Sequence, residues 1–563
     1  MRSNQVTRSR VGAPSSSATT GPLSASSLSV ASRRSLPCGC FGMMPVPRSS
    51  RSFRTQDGFA NLFILLAAIA SFATVAAASE APLDLVITNG RVIDPASGLD
   101  AMRAIGIRDG RIVAVTQDAL AGTREIDAGG LIVSPGFVDL HTHSPTRLGQ
   151  RYQLLDGVTT ALELEAGAYP IETFASDLKG RARIHYGASA GWGSARLESL
   201  FGLRITESLS TRPELIGWRG WWTALRMVLG ASSDTLFSAK ADAEDIARMR
   251  EKLAGALDRG ALGIGVPLDY FSEGVEAAEL EMLFELAAER NVIVFIHVRR
   301  GINGDPMGLR EALALAEASG AALHVCHITH NAMRNIDLFL REIREARARG
   351  IDVSTELLPY NAGSAPISSA VFGRDWRTIF AIDYDDVEWA ETGMRFGEAS
   401  FLEYREKYPQ GQVVHHYLKE AWTRRALEEP GVIIVSDLLP MVDEESRVAP
   451  HNGAFSKILG RYVREAGVLD WVTALAKMTQ LPADRLAAFH PAFEKKGRIS
   501  VGADADLTIF DPESVLDRAT YGDPFRSSAG IHSVIVGGRV AVDRGVLVED
   551  VFAGRRLDVA QDP

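Results

Sequence analysis

The stretch GFVDLHTH, residues 136–143, is an apolar run that ends in two histidines separated by one residue. Side chains at positions i and i+2 of a strand lie on the same face, so His141 and His143 are expected to point the same way from the end of a strand. Histidine is a common ligand of zinc-type metal ions. An H-x-H pattern alone is a weak signal of a metal site, so the rest of the chain has to decide.

Seven further apolar runs follow this one, and helix-like segments such as 274–290 and 307–319 lie between them. The seven runs are 157–165, 182–190, 260–268, 292–298, 322–328, 352–360 and 431–437. Eight strands that alternate with helices predict an α/β fold, a (β/α)8 TIM barrel. In such barrels the chemistry lies at the carboxyl ends of the strands.

Polar residues stand at several of these strand ends. His297, His327 and Asp437 end the fifth, sixth and eighth runs. Each follows a nearly continuous apolar stretch, where an unpaired polar group would be costly to bury. A bound metal therefore explains the set better than a group of core residues that satisfy one another.

Short strand-like segments with turn signals flank this region at both ends of the chain. Asn89-Gly90, Asp109-Gly110 and Gly537-Gly538 are expected hairpin turns. Residues 79–134 and 495–563 are expected to pair into one small β-sandwich, which leaves 135–494 as the barrel. The segments 193–259 and 361–430 are long for barrel loops and are expected insertions.

Several longer motifs accompany the histidines and the aspartate. They are GALGIGVPLDY, FIHVRR, PYNAGS, HNGAFSKILGRYVREAGV, KMTQLPADRL and the tail GRISVGADADLTIFDPESVLDRATYGDP. With these motifs the chain resembles the metal-dependent amidohydrolase superfamily, and within it the D-aminoacylase (N-acyl-D-amino-acid deacylase) branch. The resemblance covers about residues 83–545.

The resemblance implies an enzyme that hydrolyses an amide C–N bond, an N-acyl-D-amino-acid deacylase-like amidohydrolase. It implies one or two Zn²⁺ ions, or another divalent metal, and Asp437 as the general base and acid toward metal-activated water. A cyclic amide, a dipeptide or a lactone is an alternative substrate on the same scaffold. A non-catalytic binding protein of this fold is a more remote alternative. The metal ligands that the resemblance implies are His141, His143, His297, His327 and Asp437.

One departure from the branch concerns a metal ligand. The branch commonly has a cysteine after the second strand, whereas this chain has ALELEAG there. Glu163 and Glu165 share a face, and Glu165, nearer the barrel mouth, is expected to bridge two metal positions. Glu163 is the alternative ligand, and both glutamates could instead be buried and paired with an arginine.

A second departure concerns substrate binding, because the branch's lysine after the strand-6 histidine and its HPR arginine are both missing. Arg447 is a possible replacement for that arginine. Arg299 is expected to contact an anionic substrate or to pair with a structural acid. Tyr360 is expected either to polarise the scissile carbonyl or to pack in the core. His330 is a further candidate contact.

Composition limits the partners of the chain. Its 563 residues are 46% hydrophobic and 23% charged, with a net charge of −10. An acidic chain without a basic stripe argues against nucleic acid as the main partner. The resemblance implies a small-molecule amide substrate instead. The oligomeric state is not indicated.

The first 78 residues differ from the rest, with eight arginines, no lysine and one acid. An arginine-containing stretch precedes an uncharged run at 58–78, which ends in an Ala76-x-Ala78 site. This order predicts a disordered leader followed by a cleaved signal peptide, and so an exported, periplasmic protein. An uncleaved anchor in the inner membrane at 58–78 is the alternative. Because Met43 or Met44 would give a leader of normal length, residues 1–42 are expected to be a misread start.

Overall fold

The computed structural model describes residues 82–203, 233–441, 444 and 451–557. The predicted leader and signal peptide at 1–78 and the candidate Arg447 lie outside the described residues. No helix among the residues that the structure describes is both long enough and apolar enough to span a membrane.

Strands from the two ends of the chain form one nine-stranded sheet. Its two parts join where residues 132–135 pair antiparallel with residues 507–510, Val133 opposite Ile509. Leu85, Ile105 and Leu507 belong to the buried apolar cluster of this sheet. The strands are β1 (Leu83–Asp94), β2 (Leu99–Arg108), β3 (Arg111–Thr116), β4 (Gly122–Asp127), β5 (Ile132–Pro135), β18 (Leu507–Phe510), β19 (Ile531–Val536), β20 (Arg539–Asp543) and β21 (Val546–Leu547).

Two of the three expected hairpin turns in this sheet are present. Asp109-Gly110 connects β2 to β3, and Gly537-Gly538 connects β19 to β20. Asn89-Gly90 instead lies inside β1, where the register with β2 shifts between Ile87 and Gly90. Asn89 has a φ of 56° there, so the Asn-Gly pair forms a bulge and the hairpin prediction at this position is wrong.

Eight parallel strands form the barrel, and each overlaps one of the eight runs predicted from the sequence. The sheet closes because the Asp437 amide donates to the His141 carbonyl (2.8 Å) and the His143 amide to the Leu438 carbonyl (2.8 Å). This confirms the predicted (β/α)8 barrel. The strands are β6 (Phe137–Asp139), β7 (Val158–Ala168), β8 (His185–Gly191), β9 (Ile264–Val266), β10 (Ile293–Ile296), β11 (Ala322–Val325), β12 (Val353–Leu357) and β17 (Val432–Ile434).

Helices lie between and around these strands, and side chains cap several of their first turns. Asp242 and Asp245 form a reciprocal capping box, and Asp470 accepts a hydrogen bond from the Thr473 amide. The helices are α1 (Arg147–Leu155), α2 (Trp192–Phe201), α3 (Ser233–Ser238), α4 (Ala243–Asp258), α5 (Ala277–Arg290), α6 (Met307–Ser319), α7 (Ile328–Ala332), α8 (Ile336–Ala348), α9 (Ala370–Gly373), α10 (Trp376–Phe380), α11 (Glu398–Lys407), α12 (Glu420–Glu428), α13 (Ala454–Lys457), α14 (Trp471–Met478) and α15 (Gln480–Ala487), with a π-helix at Ile458–Glu465.

The segment between β12 and β17 carries a small antiparallel sheet of its own. Its strands are β13 (Gly363–Pro366), β14 (Val387–Trp389), β15 (Met394–Arg395) and β16 (Gln412–His415). Phe372, Trp376 and Phe401 pack in a separate apolar cluster beside this sheet. Because β16 ends at His415, the insertion brings side chains from outside the barrel to its mouth.

Candidate metal centre

The structure brings the six predicted metal ligands together at the barrel mouth. They come from five strand ends that are far apart in sequence, as expected for a barrel whose chemistry lies at one face. His141 and His143 follow β6, Glu165 lies in β7, His297 follows β10, His327 follows β11 and Asp437 follows β17.

Glu165 lies at the centre of the cluster and uses its two oxygens on different partners. Its Oε2 is 3.1 Å from the Nε2 of His141 and 3.1 Å from the Nε2 of His143. Its Oε1 is 2.9 Å from the Nδ1 of His297 and 3.1 Å from the Nε2 of His327. One carboxylate thus contacts the histidines in two pairs. We name the pairs by counting the eight barrel strands in order from β6: the strand-1 pair is His141 and His143, and the strand-5/6 pair is His297 and His327.

Asp437 completes the side of the cluster that holds the strand-1 pair. Its Oδ1 lies 3.4 Å from the Nε2 of His143 and 3.6 Å from the Nε2 of His141. Asp437 has a φ of 49° and His327 a φ of 30°, both in the left-handed region that non-glycine residues rarely adopt. Strain of this kind concentrates at functional sites, where the surrounding structure holds it in place.

The donor atoms in this cluster fit a metal site. Ligand atoms of His141, His143 and Glu165 lie within 4.8 Å of one another, and so do those of Glu165, His297 and His327. The two groups share only Glu165. Imidazole and carboxylate donors in such small groups suit zinc and similar divalent ions. His141, His327 and Asp437 form a third such group, which takes one histidine from each pair. The residues therefore offer donors for one or two metal ions around Glu165.

The protonation states of the acids also suit a cation. Burial alone would raise the pKa of Glu165 and of Asp437, but the neighbouring histidines outweigh it and lower both pKa values well below their ordinary ones. Burial, reinforced by His327, lowers the pKa of His297 to about 4. At neutral pH the site therefore presents two carboxylates and at least one neutral imidazole.

The strand-1 pair behaves differently from His297. Burial would lower the pKa of His141 and His143, but Glu356 acts most strongly on His141 and Glu163 on His143. Together with Asp437 and Glu165 these acids raise both pKa values well above the ordinary one.

Carboxylates also hold the outward nitrogens of this pair. The Nδ1 of His143 lies 3.0 Å from Glu163, and the Nδ1 of His141 lies 2.5 Å from Glu356, which also contacts the Nε2 of His324 at 2.9 Å. Such contacts fix the orientation of ligand histidines. Both glutamates predicted on β7 are buried, and in the described part of the chain both face histidines rather than an arginine.

Sequence reasoning missed Glu356, although a signal existed. It is a lone acid in the apolar run of β12 and is only 1% exposed. A charge buried in this way needs a partner, and a histidine cluster at the same barrel mouth could have supplied it.

A cavity of about 80 Å³ opens against the cluster. The candidate contact His330 lines it, beside His143, Glu165, His297, His327 and Asp437. Tyr270, Arg300, His415 and Tyr417 also line it and were not singled out from the sequence. His415 ends β16 and is 3% exposed, because the insertion forms strands of its own.

Two substrate-binding candidates lie away from this cavity. The Arg299 guanidinium faces Glu311 (2.9 Å) and the backbone carbonyls of Ser272 and Val275, which is the ion-pair alternative. Tyr360 lines a separate cavity of about 660 Å³. There the Lys457 ammonium lies 4.3 Å from the centre of its ring.

Comparison with known proteins agrees with this geometry. The model of the amidohydrolase family matches residues 132–541. An N-acyl-D-glutamate deacylase of Alcaligenes xylosoxydans xylosoxydans is 31% identical over 474 residues, covering 81% of this chain and 93% of the relative. A D-aminoacylase of the same organism is 29% identical and covers 81% of this chain and 94% of the relative.

Solved structures give the same fold. The crystal structure of an N-acyl-D-glutamate deacylase from Bordetella bronchiseptica, complexed with zinc and a phosphonate inhibitor, has a TM-score of 0.68 and 25% identity, covering 85% of this chain and 100% of that one. A D-aminoacylase structure has a TM-score of 0.67 at 23% identity, covering 84% of this chain and 99% of that one, which supports the fold alone. With its family model, relatives and barrel, the chain belongs to the amidohydrolase family and is a hydrolase of amide C–N bonds.

Proposed function

We propose that the chain is an N-acyl-amino-acid deacylase that cleaves the amide bond between the acyl group and the amino acid, with a preference for D-amino acids. One observation carries this proposal: Glu165 lies between two histidine pairs, with the Asp437 carboxylate beside one of them. Relatives named for N-acyl-D-glutamate and D-amino-acid deacylation support the substrate class.

The metal in this proposal is zinc, held by Glu165, Asp437 and the two histidine pairs. A zinc complex of the relative from Bordetella bronchiseptica supports the choice. Bound zinc would polarise the substrate carbonyl and lower the pKa of water toward ~7.

Asp437 is the residue proposed to move the proton. Its lowered pKa keeps it an acceptor at neutral pH, and its Oδ1 faces the same histidine nitrogens as Glu165. It accepts a proton from the attacking water and then donates it to the nitrogen of the leaving amine. The left-handed backbone at Asp437 holds the carboxylate at the mouth of the barrel.

Glu163 and Glu356 are proposed to position the strand-1 pair rather than to contact substrate. Each accepts a hydrogen bond from the Nδ1 of one histidine, which leaves the Nε2 atoms directed at Glu165. Tyr270 and Tyr417 line the cavity.

A substrate panel tests this proposal. The protein, with its metal content measured, is assayed against N-acetyl-D- and N-acetyl-L-amino acids, dipeptides, hydantoins, dihydropyrimidines and lactones. We expect release of free amino acid from the N-acetyl-D-amino acids with the highest kcat/KM of the panel. A higher kcat/KM for a cyclic amide, a dipeptide or a lactone would overturn the assignment of substrate and leave a metal-dependent hydrolase of another bond.

Export is proposed separately, from the sequence of residues 1–78 alone. We propose that a signal peptidase cleaves after Ala78 and that the enzyme acts in the periplasm. Sequencing the amino terminus of the protein from cell fractions tests both points. A mature protein that starts at Ser79 is expected in the periplasmic fraction. An uncleaved form in the membrane fraction would favour the anchor instead.

A further inference from the structure

Two neighbouring arginines after β10, Arg299 and Arg300, have opposite environments. Arg299 is held by Glu311 and two backbone carbonyls, so its donors are used within the scaffold. Arg300 faces the catalytic cavity, and its side chain is only 6% exposed. The arginine available to a bound molecule is therefore Arg300.

The Arg300 guanidinium lies against the catalytic cluster. Its Nη2 is 3.2 Å from the Nε2 of His297, whose Nδ1 faces Glu165. Aromatic rings flank the guanidinium, with the ring centre of Phe380 at 5.1 Å and that of Tyr417 at 5.8 Å. The Nε of Arg300 is buried without a hydrogen-bond partner. A buried guanidinium with an unused donor can still bind an anion.

The carboxylate nearest to Arg300 is already occupied. Asp269 accepts two hydrogen bonds from the Arg374 guanidinium, at 2.9 and 3.2 Å, and one from the Arg300 backbone amide at 3.1 Å. The Nε of Arg300 remains 3.9 Å from this carboxylate. Two buried or half-buried arginines thus share one acid, which leaves one positive charge at this end of the cavity. A buried charge is costly unless an anion compensates it.

The other groups at this end of the cavity do not compensate that charge. Burial, the positive charge of Arg300 and then His416 lower the pKa of His415 to about 3, so His415 is neutral. Burial raises the pKa of Tyr417 to about 12, so this phenol keeps its proton and can donate it to an acceptor. The charge of Glu165 also acts on Arg300, but both oxygens of this carboxylate face histidines. A negative group on the substrate therefore matches the charge that remains.

The short separation between the carboxylate and the scissile amide of the substrate agrees with binding of the carboxylate at Arg300. In an N-acyl amino acid a single carbon separates the amide nitrogen from the carboxylate, so the anion lies next to the scissile bond. The imidazole ring of His297 lies between Arg300 and Glu165 and contacts both. We propose that Arg300 binds the α-carboxylate of the substrate and determines the preference for acids over neutral amides, an inference that rests on the proposed deacylase function.

The test compares N-acetyl-D-alanine with its carboxamide, which differ only in the charge that Arg300 is proposed to bind. The wild-type enzyme is expected to prefer the acid. Arg300→Met is expected to lower the ratio of kcat/KM for the acid to kcat/KM for the carboxamide about 100-fold, mainly through the KM of the acid. Arg300→Lys keeps the charge but loses the planar guanidinium with its paired donors. An intermediate loss of kcat/KM for the acid is therefore expected.

Arg299→Met is the matched control. It removes the same group at the neighbouring position, so the ratio between acid and carboxamide is expected to stay at the wild-type value. Metal content and the thermal unfolding midpoint are measured for every variant. If Arg300→Met does not fold, Arg300→Lys still tests the proposal through the same ratio.

A binding measurement separates this proposal from the deacylase function. Titration calorimetry of the metal-loaded Asp437→Asn protein compares both ligands without turnover. Tighter binding of the acid that disappears in Asp437→Asn/Arg300→Met supports the role of Arg300, even if the wild-type enzyme hydrolyses neither ligand. An acid preference that survives the loss of Arg300 overturns the proposal and leaves the deacylase function intact. An effect confined to N-acetyl-D-glutamate would assign Arg300 to a side-chain carboxylate and would also overturn it.

Discussion

The two histidine pairs at the barrel mouth share Glu165 but differ in what surrounds them. Carboxylates hold the outward nitrogens of the strand-1 pair, Glu356 at His141 and Glu163 at His143. In the strand-5/6 pair, the outward nitrogen of His297 faces the Arg300 guanidinium at 3.2 Å, and Asp269 is farther away at 3.6 Å. Anions therefore support one pair, and a cation lies against the other.

This difference indicates that the two histidine pairs have different roles. The strand-1 pair has beside it the aspartate that we propose moves the proton, and it has carboxylates behind it. Under that proposal it is the side suited to proton transfer. The strand-5/6 pair faces the cationic end of the cavity, which suits substrate binding. Changes to the acids of the site and to the pH test whether the two pairs differ in this way.

Asp437→Asn is expected to have the largest effect. The amide keeps the size of the side chain but cannot accept the proton, so kcat should fall about 10²–10⁴-fold. Most of the metal should remain, because Glu165 and four histidines are unchanged. Steady-state kinetics with metal analysis of the same sample provide the measurement. Nearly normal turnover in a metal-loaded variant would remove Asp437 from the mechanism.

Glu165→Gln tests whether the two pairs depend on one carboxylate. Its two oxygens face different pairs, so loss of its charge should weaken metal binding on both sides. We expect metal affinity to fall by more than the ~10–100-fold typical of outer contacts, with a parallel loss of activity. Chelator competition monitors both metal positions. Full occupancy of either position in this variant would show that Glu165 does not bridge.

The positions of five site residues at strand ends could be predicted from the sequence. His141, His143, His297, His327 and Asp437 each follow an apolar run, and a parallel barrel brings such positions to one face. Glu165 was predictable by the same logic, since alternation along β7 puts it on the face of Glu163 and nearer the mouth.

Residues outside this periodicity were harder to predict. His415 and Tyr417 come from the sheet inside the insertion, whose packing against the mouth depends on contacts distant in sequence. The choice between Arg299 and Arg300 depends on how the chain turns after β10, beyond the last residue of the strand. Asn89-Gly90 shows the same limit, because pairing of β1 with β2 on both sides turned an expected hairpin into a bulge.

Glu163→Gln and Glu356→Gln should each weaken metal binding at the strand-1 pair only. Each removes the charge behind one histidine of the strand-1 pair, and losses of about 10–100-fold in metal affinity are typical for such changes. The position held by His297 and His327 should keep its affinity, so chelator titrations should become biphasic. Equal weakening of both positions would show that these carboxylates support the cluster as a whole.

In the wild-type protein, acidic pH should weaken metal binding at one histidine pair before the other. This is the smallest of the expected effects. The pKa values of His141 and His143 lie well above the ordinary 6.5, so protons compete with metal at this pair near neutral pH. The pKa of His297 is about 4, so this ligand stays unprotonated as the pH falls from about 8 to about 6. Lowering the pH over this range should therefore weaken metal binding at the strand-1 pair before it affects the other.

Equilibrium dialysis across this range, followed by metal analysis, should show the metal content falling from two ions per chain toward one. In the His297→Ala variant, the metal that remains should be lost at higher pH than the last ion of the wild-type protein, because only the proton-sensitive pair is left to hold it. Simultaneous loss of both ions in the wild-type protein would mean that Glu165 couples the two pairs so tightly that their different surroundings no longer matter.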